Sequence, residues 1–124
     1  MKRFFLLIFL AQPALSAECL YYKEPNRGGT VLEQKANQNA DYNLASGWGD
    51  QVSSVWVKDG YYAVLFEHPG FRGSNTVYVY GSGLSFAKNV WQRTGGSTVN
   101  GGTSFNLDRF GLDNLISATL CLKE

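Results

Sequence analysis

Short runs of β-branched and aromatic residues alternate along the chain with polar segments rich in glycine, proline, asparagine and aspartate. This alternation is typical of short antiparallel strands separated by turns. It predicts strands at residues 20–22, 30–33, 52–57, 62–66, 76–80 and 117–122. No window keeps a 3.6-residue apolar period, so we expect little helix beyond one turn near residues 84–91. The pattern predicts an all-β protein built as a β-sandwich.

Two segments of the chain each occur twice. Residues 47–54 read Gly-Trp-Gly-Asp-Gln-Val-Ser-Ser, and residues 111–118 read Gly-Leu-Asp-Asn-Leu-Ile-Ser-Ala. Upstream of each octet, an aromatic residue is followed seven positions later by glycine, as Tyr22 and Gly29 in the first copy and Phe66 and Gly73 in the second. Two segments repeated in the same order indicate two copies of one supersecondary unit.

The joint between the two units is short. Residues 58–60 connect the first unit, at about residues 18–58, to the second, at about residues 60–124. So brief a connection predicts two motifs of one domain rather than two domains. Residues 94–103 lengthen the second unit and show no apolar periodicity, so we expect a mobile surface loop there.

The first seventeen residues have the pattern of a secretory signal. Lys2 and Arg3 precede an apolar run at residues 4–10, and small residues lead to a cleavage site after Ala17. The apolar run is shorter than the roughly 20 residues that a membrane-spanning helix needs, and no other segment approaches that length. We therefore expect a signal peptide at residues 1–17, a mature domain at 18–124 without a membrane span, and a secreted or periplasmic location.

Two cysteines, Cys19 and Cys121, lie near opposite ends of the expected mature chain, each in a predicted strand. In an exported protein such a pair favours a disulfide bond. The alternative is two buried free thiols.

Charge and chemistry exclude several classes of function. The 11 basic and 10 acidic residues are nearly balanced, whereas nucleic-acid-binding proteins usually have a clustered basic face. His68 is the single histidine, next to a Pro-Gly pair, and the sequence has neither Gly-x-Ser-x-Gly nor zinc-ligand spacing. Asp108 and Asp113 are close in sequence, but this proximity alone does not make them a catalytic pair. We expect a non-enzymatic, monomeric protein that does not bind nucleic acid.

The repeated residues resemble those of the βγ-crystallin double Greek-key domain over nearly the whole chain after residue 17. The aromatic-to-glycine segment is similar to the folded hairpin of that family, with Tyr22 or Phe66 packed over Gly29 or Gly73. The resemblance implies that Ser54, the last residue of the first octet, caps the first hairpin. Ala118 holds the matching position in the second octet and cannot make that hydrogen bond.

The octets also resemble the calcium motif of the βγ-crystallins, in which each of two sites takes ligands from both units. The resemblance implies one site from the Gln51 carbonyl, the Ser53 hydroxyl and the side chain of Asp113 or Asn114. It implies a second site from the Leu115 carbonyl, the Ser117 hydroxyl and the Asp50 side chain. Backbone oxygens near Lys23 and Glu67 would complete the coordination, as oxygen ligands suit calcium.

Two departures and one ambiguity bear on these sites. Gly49 replaces the first Asn or Asp of the first octet, and Ala118 removes the cap beside the second. A register counted from residues 42–44 and 105–107 would instead pair Asp50 with Asp113 and put Ile116 at the hydroxyl position. We adopt the register anchored at Gly47 and Gly111, which keeps the hydroxyls in place. With few carboxylates, we expect dissociation constants of about 10⁻⁵ to 10⁻³ M.

Three functions compete at this point. The first is an exported calcium-binding structural module. The second follows a resemblance to secreted metalloproteinase inhibitors and killer-toxin-like proteins of the same fold, and would use the 94–103 loop, flanked by Trp91 and Phe105, against an extracellular protease. The third is a structural domain whose exposed aromatic residues, Trp48 or Trp56, bind a glycan or a protein. For Trp56 we favour the alternative of a packing residue or cross-strand neighbour.

Overall fold

The computed structural model of the 124-residue chain describes residues 17–36, 41–43, 48–70, 75–88, 90–93 and 96–124. The expected signal peptide, apart from Ala17, lies outside the described residues, as do Gly47 and Gly73. Within the described ranges the strands are β1 (Cys19–Glu24), β2 (Gly28–Gln34), β3 (Asp41–Asn43), β4 (Ser54–Lys58), β5 (Tyr61–Phe66), β6 (Val77–Tyr80), β7 (Ser85–Ala87), β8 (Val90–Gln92), β9 (Gly96–Val99), β10 (Gly102–Asn106) and β11 (Ala118–Lys123). A 3₁₀ helix spans Leu107–Phe110.

The strands form two antiparallel sheets packed face to face. The first sheet has the order β2-β1-β4-β10-β9, and the second has the order β3-β11-β5-β6-β7-β8. Each sequence unit contributes to the sheet of the other: β3 of the first unit pairs with β11, and the β9–β10 pair of the second unit joins the first sheet through β4. The predicted all-β sandwich of two Greek-key motifs is therefore confirmed, and the exchange of strands brings the two octets together.

Successive side chains of a strand point to opposite faces of its sheet, and every second one packs into the core between the two sheets. On β4, Val55 and Val57 are fully buried between the sheets, and on β6 Val77 and Val79 meet them from the other side. A disulfide joins Cys19 of the first sheet to Cys121 of the second, with 6.1 Å between their Cα atoms. The bond links the two sheets covalently, as we expected from two cysteines in a chain with a signal-like N-terminus.

A buried polar cluster lies between the same two sheets. Tyr21 of β1 donates a hydrogen bond to the Gln34 side-chain oxygen, which also accepts one from the Thr119 hydroxyl at 2.9 Å. Gln34 in turn donates to the backbone oxygen of Thr119 at 3.3 Å. All three residues are completely buried. Their mutual hydrogen bonds offset the cost of removing polar groups from water.

The 94–103 loop prediction is wrong. Residues 96–106 form the β9–β10 hairpin, whose two-residue turn is Asn100-Gly101 with φ angles of 54° and 79°. Two positive φ values are the signature of the turn that matches strand twist in a hairpin, and Asn-Gly is its preferred pair. Residues 94–95 lie outside the described residues.

The expected helical turn is wrong, and the packing alternative for Trp56 is confirmed. Residues 85–87 and 90–92 form strands β7 and β8 instead of a helical turn, and the described helical turn is Leu107–Phe110. Trp56 is not an exposed aromatic: it is 8% exposed, and its indole N–H donates to the Val99 carbonyl at 2.8 Å. A Cβ at Gly102 would lie 2.9 Å from the Trp56 ring and 2.1 Å from a backbone oxygen of Val57. Only glycine therefore fits beneath this ring.

None of the described helices is long and apolar enough to cross a membrane.

Candidate functional site

The two octets lie beside each other and exchange backbone hydrogen bonds. The Asp50 N–H donates to the Ile116 carbonyl at 2.9 Å, and the Asn114 N–H donates to the Val52 carbonyl at 3.0 Å. These reciprocal bonds make Asp50 the counterpart of Asn114. They correspond to the register anchored at Gly47 and Gly111, and in this register Ile116 is a fully buried core residue, not a ligand position.

Side-chain oxygens from the two units meet at both junctions between the octets. The Ser53 hydroxyl donates to Oδ1 of Asn114 at 3.1 Å, and the Ser117 hydroxyl donates to Oδ1 of Asp50 at 3.2 Å. Asp50 and Asn114 both have a φ of 57°, a left-handed conformation that Asn and Asp tolerate better than most residues. We call these the Ser53–Asn114 junction and the Ser117–Asp50 junction.

The spacing of the two oxygens at each junction can be compared with that of two calcium ligands. Two oxygens that each lie 2.3 to 2.6 Å from one ion at roughly a right angle are about 3.3 to 3.7 Å apart. Both oxygen pairs are slightly closer than this, because a direct hydrogen bond joins them. Gln51, Asp113 and Leu115 are exposed beside them. Among the described residues no group of three His, Cys, Asp or Glu side chains could hold a metal, so any ion here would depend on hydroxyl, amide and backbone oxygens besides the single Asp50 carboxylate.

The octets also contact the bends of the two hairpins. The Ser53 N–H donates to the Tyr22 carbonyl at 2.8 Å, and the Ser117 N–H donates to the Phe66 carbonyl at 2.9 Å. Tyr22 and Phe66 immediately precede Lys23 and Glu67, whose backbone oxygens complete the coordination in the calcium hypothesis. The second unit thus repeats the backbone arrangement of the first.

Ser54 makes two hydrogen bonds across the first hairpin. Its hydroxyl donates to the Glu24 carbonyl at 2.7 Å and accepts from the Arg27 N–H at 3.0 Å. Gly29 has a φ of 76°, and a Cβ there would lie 2.8 Å from the Glu24 side chain, so the atoms nearest to Gly29 come from Glu24. Tyr22 is buried in a cluster on the outer face of the first sheet. In the second unit Ala118 is fully buried without a hydroxyl.

A reciprocal amide pair that the sequence reading missed ties the first hairpin to the second unit. The Asn106 amide donates to Oδ1 of Asn26 at 2.9 Å, and the Asn26 backbone N–H donates to Oδ1 of Asn106 at 2.8 Å. Asn26 has a φ of 56°. Its position after a proline marks a turn, but no local pattern identifies a partner 80 residues away.

Strand β8 was also missed, and it carries exposed apolar side chains. Val90 and Trp91 are 50% and 55% exposed, and the other large exposed apolar residue of the described chain is Leu115, at 46%. Trp48, by contrast, is half-buried, with the Lys23 ammonium 4.9 Å from its ring centroid. The exposed aromatic of the described residues is therefore Trp91 rather than either residue proposed from the sequence.

The family model for peptidase inhibitor family I36 matches residues 17–78 of the chain. None of the curated proteins matches the chain by sequence. The fold is similar to a βγ-crystallin domain solved in a study of the evolution of the eye-lens βγ-crystallin fold, at a TM-score of 0.59 and 20% identity over 92% of this chain and 95% of that chain.

Two further solved structures have similar folds. One is the βγ-crystallin domain of Abundant Perithecial Protein from Neurospora crassa in its Ca²⁺-bound form, with a TM-score of 0.56 and 13% identity over 92% of this chain and 97% of that chain. The other is a βγ-crystallin domain from Flavobacterium johnsoniae, with a TM-score of 0.53 and 20% identity over 86% of this chain and 96% of that chain. These similarities confirm the expected βγ-crystallin fold.

Proposed function

The chain belongs to peptidase inhibitor family I36, and from this premise we propose that it is an exported, non-enzymatic protein that inhibits a peptidase outside the cytoplasm. The family match is the observation that carries the proposal. The signal-like residues 1–17 support the location, since they would direct the chain into the secreted or periplasmic space where such enzymes act.

The fold suits an inhibitor because the part of the chain that the structure describes is cross-linked and largely paired in strands. The Cys19–Cys121 bond joins the two sheets, and the residues once expected to form a loop are a paired hairpin. A rigid surface loses little conformational entropy when it binds, so more of its contact energy appears as affinity. Rigidity also protects an inhibitor from being cleaved as a substrate.

An inhibition assay tests this function directly. The oxidised protein without residues 1–17 is titrated against purified secreted endopeptidases of the serine and metallo classes, with a short peptide substrate reporting residual activity. We expect saturable inhibition of at least one enzyme at a stoichiometry near one to one, and an intact inhibitor after incubation. No inhibition of any enzyme in the panel would overturn the proposal, as would rapid cleavage of the protein in the mixture.

Calcium binding at the octets is a second function, favoured by the pairs of oxygens at the Ser53–Asn114 and Ser117–Asp50 junctions. An ion at either junction would hold residues of both units, so it would stabilise the folded state in proportion to its binding. At a calcium concentration a hundred times the dissociation constant, this adds about 2.7 kcal/mol to the free energy of unfolding. The ion and the disulfide would then stabilise the same sandwich at different places.

Calorimetric titration with calcium tests this second function. We expect two weak binding events in the unmodified protein and one in either Ser53→Arg or Ser117→Arg, because a guanidinium fills one junction with positive charge. Ser97→Arg is the matched control, since Ser97 is an exposed serine on β9. The calcium proposal fails if the unmodified protein gives no heat and its melting temperature is the same in chelator and in millimolar calcium.

A further inference from the structure

Strand β8 is the outermost strand of the second sheet. It pairs with β7 through Phe86 and Trp91 and has no described strand on its other side. All three of its residues are exposed. An extended backbone with one free edge is a template for pairing with a strand of another protein. Natural edge strands limit such pairing by being very short or charged. Strand β8 has three residues and lies between Lys88 and Arg93, which restricts its partners, but the strand itself presents an exposed valine and tryptophan.

Packing beneath the strand fixes the position of Trp91. Its ring centroid lies 4.6 Å from that of Phe86 and 5.9 Å from that of Tyr80. Tyr80 is itself stacked on Tyr62 at 5.0 Å. The row of rings on the outer face of the sheet supports Trp91 from one side and leaves more than half of it in solvent. Such a supported aromatic is a low-entropy anchor for binding.

The other face of β8 borders a cavity. Val90 and Gln92 line a space of about 170 Å³ together with Ala87, Lys88, Arg109 and Phe110. The strand is therefore accessible on both faces as well as along its edge. A substrate segment in a peptidase cleft is exposed in the same way, because an extended chain points successive side chains in opposite directions.

We propose that β8 is the segment that enters the substrate-binding cleft of the inhibited peptidase, and that this enzyme has an apolar primary specificity pocket with an acidic rim. Val90 and Trp91 are the two candidate side chains for the pocket. Lys88 and Arg93, both exposed, flank the strand on either side, so a negatively charged rim would complement them. This inference rests on the proposed inhibitory function and names its contact surface and the kind of enzyme.

The test compares edge variants with a matched control on the opposite sheet. Val90→Asp and Trp91→Ala alter β8, and Thr98→Asp places the same charge on β9, an exposed polar strand at the edge of the first sheet. Inhibition constants are measured against a metallo-endopeptidase and a serine endopeptidase that both select large apolar residues, and against a serine endopeptidase that cleaves after Lys or Arg. Melting temperatures are recorded for every variant.

We expect the unmodified protein to inhibit at least one apolar-selective enzyme. Val90→Asp or Trp91→Ala should raise that inhibition constant at least 100-fold, with Thr98→Asp within about twofold and melting temperatures nearly unchanged. Inhibition that survives both β8 changes overturns this inference and leaves the inhibitory function standing. Preference for the Lys- or Arg-selective enzyme also overturns it.

Self-association is the competing role for this edge. Sedimentation of the unmodified protein and of Val90→Asp distinguishes it from peptidase binding. A dimer that Val90→Asp converts to a monomer without changing inhibition would show that β8 joins two copies of the chain, and would refute the assignment to a peptidase. Absence of inhibition by the unmodified protein refutes the proposed function itself.

Discussion

The Ser117 hydroxyl donates a 3.2 Å hydrogen bond to Oδ1 of Asp50, although 67 positions separate the two residues in sequence. The corresponding pair, Ser53 and Asn114, is 3.1 Å apart. The two junctions thus have similar hydrogen-bond lengths, but one has a carboxylate where the other has an amide, and the Ser53–Asn114 bond is the more buried. If both bind calcium as proposed, the chain allows a charged site to be compared with a neutral one.

The first prediction follows from that difference. Asp50→Asn makes the Ser117–Asp50 junction resemble its neutral counterpart, so its calcium affinity should fall about tenfold, since ligand charge is a main determinant of affinity at such sites. Calorimetry should then show two similar weak events instead of two unequal ones. Asp59→Asn, a change of equal charge at the joint between the units, is the control. Equal titrations for the unmodified protein and Asp50→Asn would contradict the prediction.

The second prediction concerns the cap of the first hairpin. Ser54 is fully buried and its hydroxyl makes two hydrogen bonds with the hairpin backbone. Ser54→Ala leaves the Glu24 carbonyl and the Arg27 N–H without this partner, which should cost about 1 to 3 kcal/mol in the free energy of unfolding. Urea denaturation measures the change, with exposed Ser97→Ala as the control. A loss below about 0.5 kcal/mol would show that water or another group replaces the hydroxyl.

The six strands predicted from the sequence correspond to β1, β2, β4, β5, β6 and β11. Most of these strands are runs of β-branched and aromatic residues with buried side chains, so burial leaves a local pattern of composition. Strand β9 and the first two residues of β10 lie in the 94–103 segment for which we expected a loop, because they are mainly glycine, serine and threonine. Pairing with β4 and the Trp56 ring over Gly102 hold them in place, and neither contact is local in sequence. Asn100-Gly101 was the one local signal of this hairpin.

For the octets, too, the sequence predicts one part of the arrangement and leaves another part open. The repeat identifies residues 47–54 and 111–118 as corresponding segments, and the family resemblance implies paired calcium sites there. The sequence alone, however, allows two alignments of one octet with the other. The choice depends on Asp50 bonding to Ile116 and Asn114 bonding to Val52. Contacts between segments more than 60 residues apart are set by strand exchange and core packing, so no local pattern contains them.

The third prediction tests the covalent link between the sheets. The Cys19–Cys121 bond spans 102 residues, and a loop of this size restricts the unfolded chain strongly. Replacing both cysteines with alanine should lower the free energy of unfolding by as much as about 4 to 5 kcal/mol in the chain-entropy model. Urea denaturation with and without a thiol reductant measures it. The reductant should destabilise the unmodified protein and leave the double variant unchanged, and equal sensitivity in both would exclude a stabilising disulfide.

The last prediction concerns alkaline pH and Tyr21. Complete burial raises the pKa of its phenol well above the usual value near 10, so the folded protein keeps a proton that the unfolded chain releases. The unfolded state then binds fewer protons above pH 10, and the unmodified protein loses stability as pH rises from there toward the folded pKa.

The Tyr21→Phe variant has no phenol proton at this position. It should be about 1 kcal/mol less stable at pH 7, because Gln34 loses one donor while the Thr119 hydroxyl still bonds to it. That deficit should shrink by about 1.4 kcal/mol per pH unit above pH 10, since all other tyrosines are common to both proteins. Urea denaturation of both proteins between pH 7 and 11 measures the difference, and a deficit that stays constant across this range would show that Tyr21 ionises equally in the folded and unfolded states.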